Sequence, residues 1–399
     1  WKYFKGKAEV QKNVVDIIYL LTINNVAMKD WPRKRYHQAR REAFNRFSTF
    51  KNSPHQGFAK KYEELHGEDP KVKEALAYLR ETSLNEIANE YYMLGRQQWD
   101  AKESEINSQL KAIAAAIQKI VELKGAGQAG TQEMTAAKQQ LQAEQQKLQK
   151  LAAPYRKYFD QAVKAYDVII GHPQFKDTIS AYKALYFRAD CLFYSHRYPH
   201  AAKAYKKVAD SNISARYRMQ ALQGRVEAYE LHYQLNVIPP PAPNPATTKK
   251  LVATRIPQDV LNWHTAMMDL LEKQDKKAQA SAAPYKFAIA YTYYRYGHAK
   301  KAKTKLWQFL KDHCNTPQAF YASQALLGLA LIQNQQAGSS LQSLKQLDRE
   351  RKKIAATRCG TQVTFPPKTP KKQMEEYATK VKDFYKKMLG LAADIRMNR

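Results

Sequence analysis

Glycine and proline are both sparse, at 14 and 17 of 399 residues. That scarcity excludes collagen-like and glycine-rich chains and argues against an all-β fold, whose turns draw on both residues. Acidic side chains are outnumbered, 36 Asp and Glu against 66 Lys and Arg, for a formal net charge of +30. Long apolar runs are missing too: the longest, Val14 to Leu21, is interrupted by Asp16 and is too short to span a bilayer. Only three cysteines occur, and they form no Cys-rich zinc pair. Without HExxH, Walker or GxSxG patterns the chain carries no constellation for an enzyme, and no cofactor or metal is expected.

What is present points to helices. Ala, Lys, Gln and Tyr are abundant, and a hydrophobic share of 44% with 11% aromatics argues against general disorder. The length exceeds what one small core needs, so two or more modules or one extended array are expected. The chain opens at Trp1 rather than Met, which suggests a processed or trimmed end. A basic chain suits nucleic acid, an anionic membrane surface or an acidic partner. Its lysines are spread along the whole length without a nucleic-acid motif, so simple solubility is the competing explanation.

Internal self-similarity is the most informative feature. One pattern recurs as Ala88-x2-Tyr91-Tyr92-x2-Gly95, Ala189-x2-Leu192-Phe193-x2-His196 and Ala290-x2-Tyr293-Tyr294-x2-Gly297. A second recurs as Ala162-x3-Tyr166-x2-Ile169, Ala201-x3-Tyr205-x2-Val208 and Ala302-x3-Leu306-x2-Phe309. These offsets describe a helix–turn–helix unit in which small Ala lets two helices approach and aromatics one turn away fill the space between units.

Helical spacing organises the rest. Ser83-x-x-Glu86 has the form of a capping box and predicts the start of the first repeat helix, ending near Trp99. Ile106, Leu110, Ile113, Ile117 and Ile120 then step by four and three, a Gly-rich tip follows at 125–130, and Met134, Leu141 and Leu148 return at sevens. That spacing predicts an antiparallel coiled-coil hairpin projecting from the array. The expected domains are an N-terminal helical region over 1–82, with Asp69-Pro70 as a cap signal, and repeats over 83–235 with the hairpin inserted at 101–153. A Pro-rich loop over 236–256, a second repeat region over 257–365 and a C-terminal capping helix over 366–399 complete the chain. Two degenerate helices are expected, one from Tyr217 to Tyr229 and one from Ala319 to Ala330. The last helix carries Met374, Tyr377, Val381, Phe384, Met388, Leu391 and Ile395 on one stripe.

The repeated Ala and aromatic positions resemble the tetratricopeptide (TPR) repeat. The chain lacks that family's Trp-x2-Leu-Gly opening and its regular period of about 34 residues. The resemblance implies an all-α, right-handed superhelix whose concave groove is lined by the first helix of each pair. Its groove-facing offsets fall on Asn85, Asn89 and Tyr92, on Tyr186, Asp190 and Tyr194, and on Phe287, Tyr291, Tyr294 and Arg295. Tyr and Arg there suit capture of a peptide or partner helix. Packing between repeats is the other reading, and both stay open. The family's Lys- and Asn-rich carboxylate clamp does not carry over, because Asn85, Tyr186 and Phe287 hold those positions. Lys203, Lys206 and Lys207, like Lys300, Lys301, Lys303 and Lys305, fall on second helices, whose outer faces are usually solvated. Cys191, His196 and His200 lie close in sequence, but Cys191 sits within a packed helix and structural roles are expected.

Cys314 and Cys359 both lie in short loops at helix ends. A bridge would close a loop of about 46 residues, worth about 4 kcal/mol in the chain-entropy model; two unpaired thiols in a reducing cell are the alternative. Residues 257–362, with Asp312-His-Cys314-Asn-Thr-Pro-Gln-Ala319 and the distant Cys359, are similar to the C-terminal region of TPR envelope proteins of myxobacteria and related predatory bacteria. That group includes gliding-motility proteins. The similarity implies a periplasmic or envelope-associated, non-catalytic scaffold with protein partners and, without a transmembrane segment, at most peripheral membrane association. The runner-up is a basic structural subunit of an RNA-containing or organellar complex, located in an organelle matrix.

Overall fold

The computed structural model describes residues 70–173, 175–274, 282–363, 365 and 369–397. The helices expected within 1–69 lie outside that set. Among the described residues there are twelve α-helices and no strand. The chain divides into two compact units, Trp1–Ile113 with Gln142–Leu235, and Ala114–Leu141 with Asn236–Arg399.

The first unit contains α1 (Pro70–Asp100), the beginning of α2 (Glu103–Gly125), the later turns of α3 (Gln132–Gly171), α4 (Ile179–Tyr194), α5 (Tyr198–Ala209) and α6 (Arg218–Asn236). α1 corrects one expectation. It starts at Pro70, and Ser83 lies in its interior rather than at a helix start. No Gly or Pro falls between Lys71 and Leu94. Once Pro70 supplies a first turn, propagation through Ser83 is therefore easier than a break and a second nucleation. α4 does have a side-chain cap, since Thr178 Oγ1 accepts from the Ala181 N–H at 3.1 Å. Its contact with α5 is among the most extensive between helices of the described residues.

The small residues of the repeat pattern are what let these helices meet. Ala88, Ala162, Ala189 and Ala201 are all fully buried. At Gly95 an added Cβ would lie 2.7 Å from the Phe159 ring. Tyr155, Phe159 and Tyr166 fill the centre with no exposed surface, each worth about 2–3 kcal/mol by burial. The third repeat position differs among its copies. His196 and Gly297 make the turns between paired helices at φ 60° and 74°, whereas Gly95 sits within α1 because that helix continues to Asp100.

The residues expected to form the hairpin fall on α2 and α3. Gln109 Nε2 donates to Glu144 Oε2 at 2.6 Å in the first unit. Toward the tip, Ile120 and Leu123 pack with Met134 and Ala137. α3 is one helix of 40 residues with Pro154 inside it, so the residues expected for the returning arm and for the second helix of the first repeat share a single helix. The tip is not free-standing, because Ile238, from outside these two helices, joins its apolar cluster in the second unit.

That second unit continues with α7 (Gln258–Lys273), α8 (Ala283–Arg295), α9 (Ala299–His313), α10 (Pro317–Gln336), α11 (Leu341–Thr357) and α12 (Lys371–Met397). α8 packs on α9 and α10, α9 on α10, α10 on α11, and α11 on α12. The α12 stripe covers the end of this stack. Tyr377, Val381, Phe384 and Met388 join the core around Phe320, and Ile395 with Leu391 meets Ala330 and Leu347. Cys314, at the end of α9, and Cys359, just past α11, form a disulfide with a Cα–Cα distance of 4.5 Å. The Gly360 N–H donates to the Cys314 carbonyl at 2.9 Å beside it.

Candidate functional site

Two tyrosine-rich helix faces contain most of the positions expected to line a groove. In the first unit, Tyr92, Arg96 and Trp99 of α1 step by four and three, and Tyr186, Asp190 and Tyr194 of α4 step by four, so each set shares one side of its helix. The two sides meet. The Tyr92 hydroxyl points at Asp190 Oδ2 over 3.5 Å, and Tyr205 of α5 donates to Oδ1 at 2.6 Å. The Arg96 guanidinium lies 4.0 Å from the Tyr194 ring centre and 5.0 Å from that of Trp99. Tyr186 stacks on Tyr217 at 4.5 Å.

Asp190 is only 8% exposed. Burial pushes its carboxyl up to about 6, against the lowering pull of the Tyr205 hydrogen bond and the Arg96 charge. A carboxyl titrating near neutrality can serve acid–base chemistry, but both oxygens of this one face tyrosine hydroxyls from α1 and α5. Its arrangement links three helices. Tyr186 and Tyr194 keep partial exposure at the edge of the cluster.

Asn85 and Asn89 are placed differently. Asn89 Oδ1 accepts from the buried Tyr166 hydroxyl at 2.9 Å, and Asn85 Nδ2 donates to Ser180 Oγ at 2.5 Å. Both amides therefore bridge helices.

In the second unit, Phe287, Tyr291, Tyr294 and Arg295 do lie together on α8, with Phe287 stacked on Tyr291 at 5.1 Å. Their face already holds part of the chain. Tyr294 Oη donates to the Pro243 carbonyl at 2.8 Å, Arg295 Nε to Pro240 at 2.9 Å and Gln335 Nε2 of α10 to Pro245 at 3.0 Å. The Pro-rich segment, legible in sequence only as a loop that cannot continue a helix, is thus laid along the expected groove. The one available signal was its Pro-x-Pro-x-Pro alternation at 241, 243 and 245, which keeps a chain extended and leaves bare carbonyls for side-chain donors.

The other singled-out residues are placed individually. His196 sets its ring nitrogens against the Tyr155 and Tyr198 hydroxyls at 2.7 and 2.8 Å, and burial together with the Arg156 charge pushes its pKa down to about 4. Cys191 is buried and unbridged. Lys203, Lys207 and Lys300 are exposed, Lys206 pairs with Asp210, and Lys303 reaches Glu350 of α11 at 2.6 Å. Lys301 and Lys305 lie 5.7 and 5.8 Å from the Tyr293 ring centre.

No helix among the described residues is long and apolar enough to cross a membrane. No protein-family model, curated protein or solved structure matches the chain.

Proposed function

We propose that this protein is a non-catalytic, TPR-like helical scaffold with a coiled-coil hairpin, which binds and organises protein partners in a bacterial cell-envelope assembly. One observation carries the reading: side chains of α1 and α4 converge into a single tyrosine-rich cluster, with Arg96 and Trp99, whose edge stays accessible. Such residues give large contact area with polar tips and dominate binding energy at protein interfaces. The Cys314–Cys359 disulfide supports an oxidising compartment, and the repeat pattern supports the TPR-like architecture.

The test is partner capture by variants of the full chain. Tyr194→Ala should weaken it by about 2 kcal/mol, or about thirty-fold, without unfolding the first unit. Reversing the exposed Lys203, Lys207 and Lys300 to Glu should mainly slow association at low salt, since exposed charges are each worth under about 1 kcal/mol. The net charge of +30 favours a second reading, an RNA-bound basic subunit. That reading requires the lysine reversals to abolish binding while Tyr194→Ala changes nothing.

A further inference from the structure

We propose that the face formed by α8 and α10 is a docking groove for a proline-rich, extended segment of a partner protein, and that Pro239–Pro245 of this chain occupies it as a resident ligand. The proposal rests on the partner-binding reading above and names the class of partner for the second unit.

The resident segment shows what the face accepts. Five of the seven residues from Pro239 to Pro245 are proline. Proline fixes φ, pushes the preceding residue out of the helical region and has no N–H. Such a segment is extended before it docks and loses little conformational freedom on docking. It also offers only ring surface and carbonyl oxygens, so a groove for it must supply apolar walls and side-chain donors. Both are present. Arg295, Tyr294 and Gln335 donate to the carbonyls of Pro240, Pro243 and Pro245. Each prolyl residue is at least half-covered, whereas the intervening Ala242 and Asn244 are exposed.

Three features go beyond the needs of a covering loop. All three side-chain donors address backbone carbonyls, so any proline-rich chain with this spacing would satisfy them. Gly328 of α10 leaves the room: a Cβ there would stand 2.9 Å from Tyr294 Oη and 3.4 Å from Pro245 Cγ. Finally, the resident segment fills the groove incompletely. A cavity of about 310 Å³ remains beside Pro243 and Pro245, walled by Tyr291, Tyr294, Tyr321 and Phe384. Tyr321 is 43% exposed at its mouth. An outside segment with a bulkier residue facing that cavity would bury more apolar surface than the resident one does.

Exchange is feasible because the segment is anchored again downstream. The Thr254 N–H donates to the Tyr296 carbonyl at 2.9 Å, and His298 Nε2 lies 2.9 Å from the Thr254 carbonyl. Residues 239–245 can therefore lift away while the chain stays tethered. A tethered ligand competes at an effective concentration of about a millimolar, so an outside peptide should bind the intact chain weakly and a chain without the prolines well.

The probe is a fluorescein-labelled synthetic peptide with the chain's own sequence over 237–248, followed by anisotropy. One protein carries Gly and Ser in place of residues 239–245; circular dichroism reports its fold. Saturable binding about ten-fold or more tighter than to the intact chain is expected, weakened by Tyr294→Phe and absent for a peptide with alanine at every proline. No saturable binding to the folded variant, or equal binding of the alanine peptide, overturns the proposal. Should that variant not fold, the intact chain with Ala242→Cys carries a polarity-sensitive dye; Cys191 is buried and the other two cysteines are bridged. Unlabelled peptide should shift its emission saturably, and no shift up to about ten times the tether concentration rejects exchange and leaves a purely structural segment. Both assays need only this chain and a peptide, so their failure is separate from any failure of partner capture at the first unit.

Discussion

Asp190 provides a proton-linked test of how the first unit's tyrosine cluster is held. Its carboxyl is pushed up to about 6 from the 3.8 of an unburied one, chiefly because ionisation strands a charge away from water. A rise of that size corresponds to about 3 kcal/mol for ionising the group in place. Because the folded pKa lies above the unfolded one, this contribution to stability is fully present below about pH 4, where the carboxyl is protonated in both states. It is lost as pH rises through about 6 and is absent at neutrality. Asp190→Asn removes the titration while keeping the shape and an oxygen to accept from Tyr205. The new amide also faces the Tyr92 hydroxyl. The variant should therefore be more stable than the wild type at pH 7, by up to about 3 kcal/mol, and nearly equal to it at pH 4. Urea unfolding from pH 4 to 8, followed by near-ultraviolet signals of the tyrosine cluster, measures the difference. If Asp190→Asn is less stable than the wild type at pH 7, the Arg96 charge outweighs burial and the reasoning fails.

Other perturbations follow from the same geometry. Cys314→Ser with Cys359→Ser should cost about 4 kcal/mol by releasing a loop closed over a sequence separation of 45. Reduction of the wild type should match it, and non-reducing peptide mapping should recover the linked pair. Gly297 combines φ 74° with a Cβ position only 2.3 Å from the Val252 carbonyl oxygen. Gly297→Ala should cost about 2 kcal/mol or more and speed hydrogen exchange at Thr254, the neighbouring anchor, with little change in the first unit.

How much of this was legible in sequence depended on the range of the interaction. The recurrent alanines marked real helix contacts, since Ala88, Ala189 and Ala290 are all fully buried. Their spacing is a local property of a helix face. The degenerate helices, which α6 matches from Arg218 and α10 spans, and the α12 stripe were visible for the same reason. Ser83 misled because a capping box is local evidence, whereas the absence of any breaker back to Pro70 decides where a helix starts. Asn85 and Asn89 occupied groove offsets, but hydrogen bonds to Ser180 and Tyr166, distant in sequence, drew them between helices. The Pro-rich segment was legible as a loop, but its docking was not, because its partners are donors 51 to 90 residues away. The two loop cysteines left bridged and free states open, and only their proximity in the fold joined them.

The central claim is that the first unit's tyrosine cluster contacts a protein partner. It is tested most directly by photocrosslinking in cells. A benzophenone-bearing phenylalanine replaces half-buried Tyr186 at the cluster edge, and in a second strain exposed Lys203 on α5. The account predicts one discrete protein adduct from position 186, absent from position 203 and weakened by Tyr194→Ala. Adducts to RNA, or protein adducts from position 203 with none from 186, would contradict it.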